Sequence, residues 1–520
     1  MIGYRRIPIC LLFVLASLFA GCGSSAKSGG VMSENKVPCS VESTAQRLTL
    51  DLLKQGFEVS RGYFKLWTAD QCAYTFGIMG MCYANNPAAP YVTFAVLPWP
   101  GEYVDASTSS LWGPSQEGYN DIFRFDPREA IVILGELPSP AAYFSEQTYL
   151  FSRQGTYTTG STYKAIAQFM PALLRFFFAY MPDDTARFQS FSTISNPINN
   201  VVIERQSNAA FGQIRYFIIT PDQFMDNTIR NELATISINK EDIFTEQIPS
   251  DMRIGLDQAA DDFTTFIRYS QPDDGGTPGT LSDIWRTNLP LVVLRVRDTR
   301  TDRDPNLYPP VVLETRTAVD ESPLQPDLIS LVSAVAGKWG QPCVNSDCSD
   351  RAQSFKDLQT FPSYMVGPLC IPIGENCLGD NWDAAYQLYG PASLDNGEIY
   401  AVAGTLGTET GNATYVGFGI NYADVFLGVA NLSNKDLDGT ANGYAEVVNN
   451  TDKFYLYYLT RDCSGLEGLT DGNCFELPVT LIPSGKHLGL SVRDYVRPGT
   501  ERGPDSSFVL PSMVIKLQKP

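Results

Sequence analysis

Carboxylates are the only plentiful acid–base groups in this chain: 57 Asp and Glu stand against 38 Lys and Arg and one histidine, His487. That scarcity removes multi-histidine metal sites. A Ser-His-Asp or Cys-His system would have to be built on Ser484-Gly485-Lys486-His487-Leu488-Gly489, and no G-x-S-x-G nucleophile turn occurs to serve it. His487 therefore reads as a turn-flanking or surface residue. Hydrolytic chemistry would fall to paired Asp or Glu, and glycoside cleavage is the natural case. It needs two carboxyls about 5 Å apart in a retaining enzyme, or about 6.5–9.5 Å in an inverting one, beside aromatic platforms for sugar rings. Asp380-Asn381-Trp382-Asp383, Asp126-Pro127-Arg128-Glu129 and Glu136 have suitable types. An acidic chain also produces such clusters by composition, and Asp126 or Asp383 serves equally well as a helix cap. Asp257 and Asp261, followed by Asp262, share a face if the expected helix over Leu256 to Tyr269 forms. The loop carrying Trp99, Tyr103 and Trp112 supplies the candidate ligand-binding residues, since rigid rings stack on sugars or anchor protein contacts; the alternative is that these rings fold back over a sheet.

Asn434, Asp436, Asp438 and Thr440 place oxygen side chains at alternate positions, and Gly439 permits a sharp turn among them. The segment resembles the calcium loop of the EF-hand family, which implies calcium as the candidate ion. It departs from that pattern in two ways: Asn434 rather than Asp opens it, and Glu446 falls one residue late for the bidentate position. The competing reading is an Asx-rich turn between strands. No other motif calls for a cofactor.

The elements that must position these residues follow from hydrophobic period and turn chemistry. A first helix is expected over Ser43 to Gln55, with Ser43 and Gln46 at capping-box spacing and Leu48, Leu52 and Leu53 as its stripe. Ala130 to Leu134, Arg215 to Ile219 and Leu291 to Val296 read as buried strands. Thr220-Pro221-Asp222 supplies an N-cap, a first-turn proline and a dipole-matched acid for a helix with Phe224, Met225, Ile229, Leu233 and Ile236 on its apolar face. Ala165 to Met181 is the greasiest internal segment, but Pro171 and Arg175 interrupt it, so it reads as a core helix. Arg297 to Gln325, rich in charge and proline, marks a boundary, after which a helix over Pro326 to Trp339 leads into strands at Ile399 to Ala403, Ala413 to Ile420, Asp424 to Val429 and Phe454 to Leu459. No fixed-period repeat is visible.

At the other end of the chain, Arg5 and Arg6 precede an apolar run, Ile7 to Ala20, too short to cross a bilayer. Leu18-Phe19-Ala20-Gly21-Cys22 resembles the lipobox of bacterial lipoproteins, with Phe19 where that family usually carries Leu. The resemblance implies lipidation of Cys22 and a membrane attachment through it. Gly23 in place of Asp after the cysteine implies the outer membrane if the source is Gram-negative. Gly23 to Gly30 has the composition of a tether.

A formal charge of −19 argues against nucleic acid as a partner. Hydrophobic residues at 44% and aromatics at 12% suit folded cores rather than a solvated chain. Close spacing in an oxidising compartment pairs Cys72 with Cys82, Cys343 with Cys348, Cys370 with Cys377 and Cys463 with Cys474, leaving Cys39. The expected protein is α/β or α+β: signal peptide 1–21, lipidated cysteine and tether 22–40, a mixed α/β domain built around one sheet over 41–300, a linker or long loop over 301–325, and a β-rich, disulfide-stapled domain over 326–520. Its expected role is binding or scaffolding at the cell envelope, with a glycan or an envelope protein as partner. The alternatives are a carboxylate-dependent polysaccharide hydrolase and an assembly partner of an envelope complex.

Overall fold

Strands form where apolar residues run without helical spacing, and most of those runs are buried on both faces. The computed structural model describes residues 37–169, 171–300, 302–359 and 365–520; Cys22, the signal segment and the side chain of Cys39 lie outside the described residues. In chain order the first half contributes β1 (Glu58–Arg61), β2 (Tyr63–Trp67), β3 (Tyr91–Ala95), β4 (Glu129–Glu136), β5 (Ala141–Gln154), β6 (Arg187–Thr193), β7 (Ile198–Asn199), β8 (Ile214–Thr220), β9 (Ile243–Gln247), β10 (Asp262–Pro272) and β11 (Leu291–Arg297). The second half contributes β12 (Ala352–Ser354), β13 (Lys356–Asp357), β14 (Ala384–Ser393), β15 (Glu398–Thr405), β16 (Tyr415–Tyr422), β17 (Leu427–Ser433), β18 (Phe454–Thr460), β19 (Cys474–Glu476), β20 (His487–Tyr495) and β21 (Met513–Gln518).

These strands make four sheets in a mixed α/β protein. The first half holds an outer sheet, β1-β11-β4-β8-β9, and an inner sheet, β2-β3-β10-β5-β6 with β7 beside β5; the second holds an outer sheet, β12-β21-β15-β18-β19, and an inner sheet, β13-β14-β20-β16-β17. The two orders coincide strand for strand once β7 is set aside. In each outer sheet the final pair, β8 with β9 and β18 with β19, is parallel, whereas the other strand pairs are antiparallel. The two halves thus repeat one topology. Corresponding strands lie at different separations along the chain, which is why no fixed period exists to be seen.

Packing repeats as well. Leu48 and Leu52 of the Cys39–Lys54 helix and Met225 and Ile229 of the Gln223–Thr235 helix cover Val132 and Leu294 on the first outer sheet. Leu328, Leu331 and Val335 of the Gln325–Lys338 helix cover Ala401 and Ile515 on the second. Between the sheets of the first half lie Phe94, Ile133, Phe217 and Phe263. Val402, Phe418, Leu459 and Leu490 fill the second. The two inner sheets then face each other through a cluster drawn from both halves, including Trp67, Trp112, Phe266, Leu378 and Phe426.

Five expectations are corrected. The first half is built on two sheets rather than one. Its first helix starts at Cys39, after Pro38, and Ser43 is internal, donating to the Ser40 carbonyl at 3.0 Å. Asp222, not Thr220, caps the next helix by accepting from Phe224 N. Most of Leu256 to Tyr269 is strand β10, because the side chains alternate: Phe263, Ile267 and Tyr269 enter the intersheet core while Phe266 and Arg268 face the opposite half. The 165–181 region breaks near Pro171 into short helices, Ser161–Phe169 and Leu174–Phe177. All four expected disulfides are present, which fits an exported protein. No described helix is long and apolar enough to cross a membrane.

One buried acid pair spans the first sandwich. Glu146 of β5 and Glu246 of β9 are both buried; Glu246 Oε1 accepts from Thr148 N at 2.7 Å and Ser195 Oγ at 2.6 Å, while no donor group reaches either Glu146 oxygen. Burial, then the Glu246 charge, raises the Glu146 carboxyl well above the usual carboxylate range. A raised folded-state value means that the stabilising contribution is complete below about pH 4.5 and is lost as pH rises through the raised value, by ~1.4 kcal/mol per unit for one retained proton. Glu146→Gln should therefore raise the urea midpoint relative to wild type at pH 8 more than at pH 4. Equal differences at the two pH values would exclude a retained proton.

Candidate functional site

The residues singled out for chemistry do not assemble into one site. Asn434–Leu437 is a helical turn in which Asp436 Oδ2 accepts from Ser433 N and Oγ, both at 2.8 Å. Asn434 Oδ1 accepts from Val416 N, and Thr440 Oγ1 donates to the Leu437 carbonyl at 2.6 Å and accepts from Leu456 N at 3.0 Å. These oxygens cap a turn and anchor a sheet, and Asp438, like Asp436, is exposed. No three His, Cys, Asp or Glu residues stand together as a metal group among the described residues. The aromatic loop is likewise dispersed. Trp112 is in the core, Trp99 lies beneath the guanidiniums of Arg295 and Arg297, and Tyr103, 38% exposed, is covered on one face by Arg124. This is the folded-back alternative, and Trp99, Tyr103 and Trp112 present no common binding face.

Apart from Glu136, the candidate carboxylates are committed to partners within the fold. Glu129 pairs with Arg295 at 2.5 Å, and Asp126 caps its own turn at Arg128 N. Asp261 holds Arg153 through both oxygens, Asp262 meets Arg124 at 2.8 Å and Arg187 at 3.2 Å, and Asp257 caps Ala259 N; they share no helix face because the segment is not a helix. Glu136 ends β4 half-buried, its carbonyl taking the Trp285 indole N–H. Asp380 and Asp383 are fully buried between the halves.

There the repeat becomes reciprocal. In each half the connection before the inner sheet's long antiparallel run carries a short helix and a disulfide, Cys72–Cys82 in one and Cys370–Cys377 in the other. Each connection then lies against the other half. Cys82 N and Ala84 N donate to the carbonyls of Val425 and Phe426, and Cys377 N and Gly379 N donate to those of Ser190 and Phe191, at 2.6–2.9 Å. Asn85 Oδ1 accepts from Gly428 N, as Asp380 Oδ1 accepts from Thr193 N; Asn86 Nδ2 donates to Tyr415 Oη, as Asn381 Nδ2 donates to Tyr143 Oη. The backbone matches too: Tyr83 and Leu378 have φ of 53° and 55°, and Phe191 and Phe426 have 32° and 49°, a region rarely adopted by residues other than glycine. The halves therefore meet as two protomers of a twofold dimer would, through one surface used twice.

Arg268 of β10 and Arg493 of β20 occupy equivalent positions at this junction. Arg268 Nη2 donates to the Gly379 carbonyl at 2.9 Å and Arg493 Nη2 to the Ala84 carbonyl at 2.8 Å. Each is only 6% exposed, and neither makes an ion pair among the described residues. Arg493 Nη1 is buried without a hydrogen-bond partner. Burial raises the Tyr386 and Tyr495 phenols, and the charges of both arginines act on each phenol in the opposite sense; the Arg268 guanidinium lies over the Tyr91 and Tyr149 rings. Burial also pushes the Asp380 carboxyl up to about 6, against hydrogen bonds from Thr193 and Gly367 and the Arg268 charge.

A cavity of about 210 Å³ opens beside these residues. Its floor includes Arg268, Arg493, Tyr386 and Tyr495, its walls Phe176, Leu173 and Leu388, and its rim Arg175, Asp424 and His487. His487 is at the surface, as expected, with Nδ1 2.8 Å from Asp424 Oδ1. The repeat is broken here: the first half spends residues 155–186 between β5 and β6, whereas the second needs only Ala423–Phe426 between β16 and β17, and the longer connection walls the cavity. Sequence reasoning missed both arginines. The available signal was an arginine within each of two strand-like patterns, Thr264-Thr265-Phe266-Ile267-Arg268-Tyr269 and Leu490-Ser491-Val492-Arg493-Asp494.

No family model matches the chain, and no curated protein matches it. Solved structures similar to it include an uncharacterized protein from Burkholderia cenocepacia, 10% identical with a TM-score of 0.37, covering 92% of this chain and 87% of that one. The VPA0106 protein from Vibrio parahaemolyticus is also 10% identical, with a TM-score of 0.30 and coverage of 76% and 87%. Likeness at this level carries no argument about this chain.

Proposed function

We propose that this chain is a lipid-anchored binding protein of the cell envelope, attached through Cys22, whose small-molecule ligand sits in the cavity between the two halves. The observation that carries the reading is the cavity itself: both halves contribute to it, and a buried guanidinium with an unused donor borders it. A buried charge is costly unless it is paired, so a cavity lined by two guanidiniums without ion-pair partners is one where an anionic ligand can recover that energy. Pockets at the junction of two structural units are the usual place for such ligands. Attachment to the membrane rests on the resemblance of Leu18 to Cys22 to a lipobox, and the four disulfides support residence outside the cytoplasm.

Leu388→Trp fills the cavity from β14 without adding charge. Protein isolated from the envelope without denaturant, then unfolded and extracted, should release a small molecule in near-stoichiometric amount from wild type and little from Leu388→Trp. Equal recovery from the two, or none from either, would overturn the reading.

A further inference from the structure

The junction cavity has a charge pattern that points to one ligand class. Deep within it lie two guanidiniums, Arg268 and Arg493, against one carboxylate, Asp380. At the rim, Asp424 is bound to His487 and its carbonyl takes Arg175 Nη2 at 2.7 Å. The deep part is therefore one negative charge short of balance, in a chain whose formal charge is −19. A surplus of buried positive charge in so acidic a protein does not follow from composition. It also opposes the rule that buried charges are paired. Asn421 and Ser491 add polar groups to the lining, and the apolar wall comprises Leu173 and Phe176 from the long connection, Leu388 from β14, and Phe426, whose ring centre lies 4.2 Å from that of Phe176.

Resting on the binding reading above, we propose that the cavity holds a monoanionic amphiphile, a carboxylate with an aliphatic chain. The carboxylate is held between Arg493 and Arg268, and the chain runs past Leu388 toward Phe176. Both guanidiniums line the cavity without a carboxylate partner, and a guanidinium suits a carboxylate because its planar N–H groups match the two oxygens. One negative charge completes the balance, whereas a dianionic phosphate monoester brings one too many. The aliphatic part gains from leaving water at roughly 25 cal/mol per Å².

Decanoate, decanol and decyl phosphate share a chain and differ in head charge, so titration calorimetry of the mature chain at pH 8 separates head from tail. Decanoate should bind most tightly. Arg493→Gln should weaken decanoate roughly 10- to 100-fold, the scale of one charge-assisted hydrogen bond, and leave decanol unchanged. Arg493→Lys keeps the charge and should recover part of the loss, with unchanged melting of both variants securing the comparison. Arg268→Gln provides the same test from the other half if Arg493→Gln does not fold. Decanol binding as tightly as decanoate, decyl phosphate binding more tightly, or no binding of decanoate would overturn the assignment. Each of these results leaves the extraction test with Leu388→Trp standing by itself, so the ligand class can fail while the cavity remains a binding site.

Discussion

Asp383→Ala should destabilise the folded chain by about 3–5 kcal/mol, the usual loss when one partner of a buried ion pair is removed. Asp383 lies fully buried at the head of β14 and joins the second half to the first. Its Oδ2 accepts from Tyr143 Oη at 2.9 Å and Asn199 Nδ2 at 2.8 Å, and its Oδ1 accepts from Arg502 at 3.1 Å. Burial raises its pKa and Arg502 opposes that rise. Truncation leaves Arg502, whose side chain is 4% exposed, with Glu314 as its remaining carboxylate, and leaves the buried Tyr143 hydroxyl without its acceptor, while Asn199 Nδ2 keeps the Glu501 carbonyl. Asp383→Asn keeps oxygen and shape and should lose less. Asp424→Ala, which removes a surface pair with His487, should cost no more than about 1 kcal/mol and serves as the comparison. Urea unfolding with unchanged slope gives the difference directly. A loss for Asp383→Ala as small as that for Asp424→Ala would mean that the junction is not held by this carboxylate.

What was legible in the sequence was local. Ala130 to Leu134 and Leu291 to Val296 announce strands because, Arg295 apart, every side chain in them is apolar, as burial on two faces demands. The cysteine pairs were legible because short loops close easily. Leu256 to Tyr269 misled because a strand buried on both faces also places apolar residues at helical spacing; Phe263 and Ile267 are four apart, and only the β-branched Thr264 and Thr265 between them favour the strand. The repeat was nearly illegible. Residues 82–91 and 377–386 align without a gap, yet share only Cys82 with Cys377, Asn86 with Asn381, Ala89 with Ala384 and Tyr91 with Tyr386. Those are the disulfide, the reciprocal amide and two positions where the inner sheet begins, so what survives is what the junction uses. Arg268 and Arg493 gave no motif because their roles depend on the carbonyls of Gly379 and Ala84, far away in the chain and on the opposite half.

Trp112→Ala should cost about 3–5 kcal/mol, as expected for deleting a fully buried aromatic side chain. The indole has no exposed surface; it meets Trp67 at 5.0 Å, Phe266 at 4.9 Å and Phe191 at 5.5 Å between ring centres, and its N–H donates to Thr264 Oγ1 at 3.0 Å. A sugar-stacking platform behaves in the opposite way, since its removal leaves stability intact and abolishes binding. Trp112→Phe, which keeps a ring but loses the hydrogen bond, should fall between wild type and Trp112→Ala in thermal melting. The position also bears on the junction, because Trp112 packs edge-on against Tyr83 at 5.8 Å, and Tyr83 borders the cavity. Decanoate affinity in Trp112→Ala, measured where the variant remains folded, separates two couplings. A loss of stability with affinity retained places Trp112 in the core alone. A loss of both makes the aromatic cluster the support that fixes the cavity wall, because Tyr83 would then lose the ring that sets its position.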